Sequence, residues 1–158
     1  MKGGTLNTGQ GAYHNTAISG AYYVQGLIGP TSASSTRMSM VANCNGNGTT
    51  STGYYFVPDT SSLTAYKFTG GVGGASALPG PLSYSGEKTW GSSSSHIVRV
   101  EVDGSAMSVF IDWNNDGDFD DTDESIGTKT DASYTGGYGG FRVYGTSSWI
   151  DNFEMGGL

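Results

Sequence analysis

The sequence predicts an all-β protein, and three observations carry that expectation. Glycine supplies 27 of 158 residues and good helix formers are few, which argues against a helical bundle. Nineteen aromatic residues (3 Trp, 10 Tyr and 6 Phe) argue against a disordered linker. Short β-rich segments punctuated by Gly, Ser, Asn and Asp recur along the chain with no competing helical period. A chain of this length has room for one well-cored domain, taken as residues 1–158.

The expected strands are 21–28, 36–42, 53–58, 62–69, 96–102, 105–112, 140–145 and 148–154. Tyr22, Phe56 and Phe153 fall within them, where packing is the natural role of a ring. Two Gly-rich runs, Gly70-Gly71-Val72-Gly73-Gly74 and Gly136-Gly137-Tyr138-Gly139-Gly140, have neither the Lys-Ser/Thr pair nor the following helix of a nucleotide loop. They read as tight β-connections and bulges. Ser92-Ser93-Ser94-Ser95 reads as a solvated turn. After it comes the best local signal, Val102-Asp103-Gly104-Ser105, in which Asp-Gly suits a two-residue type I′ hairpin with Asp103 making the turn. Pairing Val102 with Ser105 sets Val100 opposite Met107, Val98 opposite Val109 and His96 opposite Ile111. One face is then nearly all apolar, and the other carries Ile97, Arg99, Glu101, Ala106, Ser108 and Phe110.

The net charge is −7, and seven of the fourteen acidic residues lie between Asp112 and Glu124. Elsewhere seven carboxylates balance seven scattered Lys and Arg, so no basic face is available for a nucleic-acid backbone or an anionic membrane surface. No stretch approaches 18 consecutive apolar residues and no apolar segment follows Met1-Lys2-Gly3-Gly4, so neither membrane insertion nor a signal peptide is expected. Cys44 stands alone in Asn43-Cys44-Asn45-Gly46-Asn47-Gly48, which excludes a disulfide framework and a Cys-based zinc site and suggests a small, half-buried thiol.

The most specific chemistry lies in Asp112-Trp113-Asn114-Asn115-Asp116-Gly117-Asp118-Phe119-Asp120-Asp121-Thr122-Asp123-Glu124. Oxygen-bearing side chains stand at loop positions 1, 3, 5, 7, 9 and 12, and glycine stands at position 6, where backbone wrapping a cation must turn sharply. Hard oxygens in this number suit Ca²⁺ better than Mg²⁺. The expected ligands are Asp112, Asn114, Asp116, Asp118 (through its carbonyl), Asp120 and Asp123, with Glu124 one step beyond. Seven crowded carboxylates repel one another unless a counter-charge arrives. Trp113 and Phe119 read as anchors of the loop. The loop resembles dockerin-type calcium loops in its Asp-x-Asn-x-Asp-Gly opening and its Asp at position 12, although it follows a strand rather than a helix.

Catalytic groups are thin. His14 and His96 lie in or beside expected strands, and the carboxylates outside the loop form no close acid pair beyond Glu101 and Asp103, which lead into the turn. If the chain binds glycans, rings on turns or on a noncore sheet face should do so, and Trp90 and Tyr138 meet that condition by sequence.

At Tyr54-Tyr55-Phe56-Val57-Pro58, Leu63-Thr64-Ala65-Tyr66-Lys67, Val98-Arg99-Val100-Glu101-Val102-Asp103-Gly104, Gly139-Gly140-Phe141-Arg142-Val143-Tyr144-Gly145 and Ile150-Asp151-Asn152-Phe153-Glu154, the chain resembles laminin-G-like jelly rolls of the concanavalin A-like lectin/glucanase superfamily. The resemblance implies a two-sheet antiparallel jelly-roll sandwich, often with structural Ca²⁺, in proteins that bind glycans or mediate adhesion. The Glu-x-Asp-x-x-Glu catalytic strand of the glucanase members is absent, so a non-enzyme is expected. The usual Trp-bearing opening strand is not found before Lys2, as in an excised module or one that borrows a strand. The expectation is a noncatalytic, calcium-stabilised carbohydrate-binding or adhesion module outside a cell or on a virion, with a glycan or cell-surface polysaccharide as partner. The alternative is a structural virion component, a decoration or tail protein contacting other virion or surface-layer subunits.

Overall fold

In the computed structural model the described residues are 11–14, 16–29, 37–46, 50–71, 74–86, 88–144 and 149–158. The expectation of a missing opening strand, and those parts of the strand and Gly-rich assignments that involve Thr36, Asn47, Gly48, Val72, Gly73, Gly145 and Ser148, lie outside them. Twelve strands are present among the described residues: β1 Gly11–Tyr13, β2 Tyr22–Ile28, β3 Arg37–Asn45, β4 Thr52–Pro58, β5 Ser62–Thr69, β6 Ala75–Ala77, β7 Leu82–Ser83, β8 His96–Asp103, β9 Ala106–Asp112, β10 Ser125–Thr130, β11 Tyr138–Tyr144 and β12 Ile150–Gly157. All eight expected strands form, with shifted ends. The short β1, β6, β7 and β10 were not foreseen.

The strands build a jelly-roll sandwich of two antiparallel sheets. One runs β1-β11-β3-β4-β5-β6, with β7 also pairing β5, and the other runs β10-β9-β8-β2-β12. No helix among the described residues is long and apolar enough to cross a membrane. Period-2 patterning explains the second sheet: in β2, β8 and β9 alternate residues are buried, so Tyr22, Val24, Ile28, Val98, Val100, Val102, Met107, Val109 and Ile111 all face the first sheet. Met38, Met40, Phe56 and Leu63 of β3, β4 and β5 meet them from the opposite side. Each such side chain contributes about 1.5–3 kcal/mol by leaving water.

The β8–β9 hairpin keeps its predicted faces but not its predicted register. Asp103 pairs with Ala106, Val102 with Met107, Val100 with Val109 and Val98 with Ile111, two residues away from the expected pairing. The turn residues are Gly104 and Ser105. Only Gly104 has positive φ, 57°, whereas type I′ requires positive φ at both central residues. Glycine at the first central position is the type II′ pattern, and Asp103 ends the strand instead of making the turn. A two-residue shift preserves side-chain parity, so the same valines remain inside. Asn43, at a β3 irregularity with φ 49°, pins the sheets together. Its backbone N–H donates to Tyr22 Oη at 2.8 Å, and the Tyr22 hydroxyl donates to its Oδ1 at 2.9 Å. Cys44 is fully buried rather than half-buried, which pushes its thiol pKa up to about 11.

Candidate functional site

The carboxylate loop joins β9 to β10, which pair with one another, so it forms a hairpin tip. Its first residue, Asp112, is fully buried and accepts hydrogen bonds from the backbone N–H groups of Asn115 and of Gly117, the latter at 2.9 Å. Gly117, at position 6, takes φ 95°, as the wrapping backbone requires. Further side chains cap N–H groups two residues ahead: Asn114 Oδ1 accepts from Asp116, Asp116 Oδ1 from Asp118, and Asp118 Oδ1 from Asp120. The Asn114 amide donates to Asp116 Oδ2 at 2.8 Å and to Asp121 Oδ2 at 3.1 Å. Asp123 pairs instead with Lys88 at 2.8 Å, which lowers its pKa. Among the described residues no three Asp, Glu, His or Cys side chains are gathered into a group that could hold a metal ion.

Electrostatic tension in the loop centres on Glu124. It is buried like Asp112; its Oε1 accepts from Trp113 N–H at 3.2 Å, while its Oε2 is buried without a hydrogen-bond partner. Desolvation raises its carboxyl pKa, and the charges of Asp112 and Asp121 add to the effect. Asp120 is raised as well, through its hydrogen bond and repulsion with Asp118. Trp113 is buried and its indole N–H donates to the Asp123 carbonyl at 3.2 Å, while Phe119 packs edge-on to Phe110 at 6.0 Å. Both act as the anchors expected of them.

Of the two expected ligand-binding rings, Trp90 is overturned. Only 1% of it is exposed, and it packs against His96 at 5.1 Å and Trp113 at 6.1 Å, with its indole N–H donating to Ser94 O. A residue before a turn is exposed only if nothing packs on the turn, and here the foot of the carboxylate loop does. Burial lowers the His96 pKa, as for a packed histidine. Among the described residues the exposed indole is Trp149, at 45%.

Tyr138 lies at the start of β11, half-buried, on the outward face of the seven-stranded sheet. That face was not foreseen. Across the strands, register aligns Tyr13 with Gly140, Gly140 with Val41, Val41 with Tyr55, and Tyr55 with Tyr66. Tyr55 stacks on Tyr66 at 4.9 Å, and the Arg142 guanidinium lies 4.6 Å from the Tyr55 ring centre. Val41, Cys44, Tyr55, Val57 and Phe68 form a second apolar cluster there, with Tyr13, Tyr66, Ala75 and Tyr138 packed against it. Beside Arg142, in register, the Ser39 hydroxyl is buried without a hydrogen-bond partner. The legible signal was β4 itself, whose run Tyr54-Tyr55-Phe56-Val57 does not alternate and is buried on both faces.

No protein-family profile matches the chain, and comparison with curated proteins finds no match. Among solved structures, the carbohydrate-binding module CBM66 from Bacillus subtilis superposes with a TM-score of 0.65 at 12% identity, covering 94% of this chain and 93% of that one. Sheep galectin-11, in complex with glycerol, superposes with a TM-score of 0.61 at 11% identity, covering 96% and 99%. The likeness shows that the chain shares their jelly-roll sandwich fold.

Proposed function

We propose that this chain is a noncatalytic, calcium-stabilised carbohydrate-binding module that acts outside the cell, and that the outward face of its seven-stranded sheet is the glycan surface. One observation carries the reading. The outer face of a two-layer antiparallel sandwich is ordinarily polar, yet here the half-buried rings of Tyr13, Tyr66 and Tyr138 pack on a buried apolar cluster that includes Tyr55. A sugar presents C–H faces to rings and hydroxyls to phenols, so these part-exposed tyrosines suit a saccharide better than an apolar partner. The names of the two structural neighbours point the same way. No observation favours the structural virion alternative.

The spacing of the loop's oxygen donors supports Ca²⁺, which on binding would draw together side chains that are not gathered in the structure. Among the described residues no counter-charge is paired with the two buried carboxylates, Asp112 and Glu124, one oxygen of which is orphaned, and such a pair is costly unless a cation joins it. The residues that would hold the ion are Asp112, Asn114, Asp116, the Asp118 carbonyl and Glu124. Glu124 is the better closing ligand because Lys88 already engages Asp123. Bound there, the ion would supply positive charge and tie β9 to β10.

Retention on immobilised polysaccharides tests the glycan face, with folding verified by thermal melting. Parent protein should be retained, and Tyr66→Ala and Tyr138→Ala should each weaken retention about tenfold, equivalent to about 1.4 kcal/mol. No retention of the parent, or full retention of both folded variants, would overturn the assignment.

A further inference from the structure

Trp149 is held in a way that the sandwich core does not require. Trp90 and Trp113 are buried, at 1% and 8%, whereas Trp149 leaves 45% of its surface in water. Its ring lies on Gly29, where an added Cβ would come within 2.3–2.6 Å of three indole atoms, and Gly29 N–H donates to Trp149 O at 2.8 Å. The ring therefore rests on backbone and presents a face outward.

Alternation along β2 places Gly29 on the same outward face of the five-stranded sheet as Leu27, Gln25 and Tyr23. A second ring lies on a glycine at the far end: a Cβ on Gly156 would meet three Tyr23 ring and hydroxyl atoms at 2.8–3.0 Å. Six residues at about 3.3 Å rise separate Gly29 from Tyr23, a span of about 20 Å. Between them stands a polar row. Tyr23 and Gln25 donate to the two Glu154 oxygens at 2.6 and 3.1 Å, and Arg99 lies over Tyr23 at 4.1 Å with its Nε 2.9 Å from Glu101. The Phe119 ring of the carboxylate loop also lies near Arg99, its centre 5.5 Å from the guanidinium. In this row Gln25 Oε1 is an acceptor buried without a donor.

We infer that this face is a second saccharide track, running along β2 from Trp149 to Tyr23, on the opposite side of the sandwich from the first. A polysaccharide segment stacks a C–H face on the indole, and its hydroxyls donate to the exposed Glu154 carboxylate that Gln25 holds in place. The ligand class rests on the carbohydrate reading above, while the site rests on its own residues.

Because Trp90 and Trp113 are buried, acrylamide quenching of tryptophan fluorescence reports Trp149 selectively. The probes are soluble dextran, xylan and alginate, added to the parent, Trp149→Ala, Gln25→Ala and Tyr66→Ala, each verified as folded by thermal melting. The expected result is at least a twofold fall in the quenching constant of the parent with one of these polymers, unchanged in Tyr66→Ala. Binding to that polymer should be about tenfold weaker in Trp149→Ala and measurably weaker in Gln25→Ala. Retention of the parent without protection of Trp149 overturns the track and leaves the seven-stranded face standing. Protection that persists while Tyr66→Ala and Tyr138→Ala are both fully retained overturns that face and supports the track, and absence of both protection and retention overturns both.

Discussion

Glu124→Gln gives the sharpest test of the loop because its expected effects have opposite signs with and without calcium. Gln keeps a carbonyl oxygen for the Trp113 N–H, so the hydrogen bond at the foot of the loop survives. It removes one of two negative charges buried side by side, and its NH₂ replaces the orphaned Oε2 with a donor. In the parent, binding of calcium to the native state alone adds RT ln(1 + [L]/Kd), about 2.7 kcal/mol at a hundredfold excess over Kd. For a chain of this size that corresponds to a rise in Tm of about 5–10 °C. Glu124→Gln should lose most of that rise, and so should Asp116→Ala, whose exposed position spares the core. With excess chelator at pH 7 the order should change, and Glu124→Gln should melt at or above the parent. The Glu124 carboxyl binds its proton more tightly in the folded state, so its contribution is fullest at low pH and is lost as pH rises through the raised pKa. The advantage of the variant in chelator should therefore shrink toward pH 4. Scanning calorimetry across these conditions decides the matter. An unchanged parent Tm on adding calcium refutes the cation, an intact shift in Glu124→Gln refutes this ligand, and a chelated variant melting well below the parent refutes the idea of an uncompensated charge.

Three further outcomes follow from other parts of the sandwich. Asp131 accepts from Tyr54 Oη at 2.7 Å, Ser133 N–H at 2.8 Å and Lys67 Nζ at 3.2 Å, and hydrogen bonding, led by the Ser133 side chain, holds its carboxyl well below the usual range. Its stabilisation is present above the unfolded-state pKa and lost as pH falls, so Asp131→Asn should cost about 1–2 kcal/mol in urea unfolding at pH 7, after discounting for solvent at its 17% exposure, with the gap narrowing below pH 4. Val100→Asp should place an unpaired carboxylate in the core and cost about 4 kcal/mol or more by chemical denaturation, whereas Glu101→Lys, which loses the partly exposed pair with Arg99 and sets a second cation beside it, should cost about 1 kcal/mol. Trp90→Ala should lose about 3–5 kcal/mol as a core cavity, while Trp149→Ala stays within about 0.5 kcal/mol; equal losses in urea would contradict their placement.

What the sequence made legible was governed by local rules, and what it hid was governed by neighbours far along the chain. Period-2 alternation identified the buried face of β8 and β9 because parity survives a two-residue slip. The register itself depended on which two residues of Asp103-Gly104-Ser105 form the turn, and both frames are chemically acceptable. β8 also pairs with β2, with Val24 opposite Val100, and the turn adopts only one positive φ, at Gly104. β10 stayed hidden because Ser125–Thr130 is short, mostly polar and broken by an irregularity near Gly127, so no alternation survives to be read. Trp90 was misjudged and Trp149 passed over for one reason: a tryptophan's exposure is decided by what lies over it. His96 and Trp113 cover the first, and Gly29 supports only one face of the second. The oxygen donors proposed to hold Ca²⁺ form a local pattern of fixed spacings, whereas the proposed choice of Glu124 over Asp123 rests on Lys88, which lies 35 residues upstream of Asp123. The outward aromatic face falls between these cases. Its residues occupy recognisable strands, and the unbroken run Tyr54 to Val57 already required apolar surroundings on both sides of β4. Its partners, Tyr13 at one edge of the sheet, Tyr66 on β5 and Arg142 on β11, come together only when a strand from near each end of the chain is laid beside the central ones.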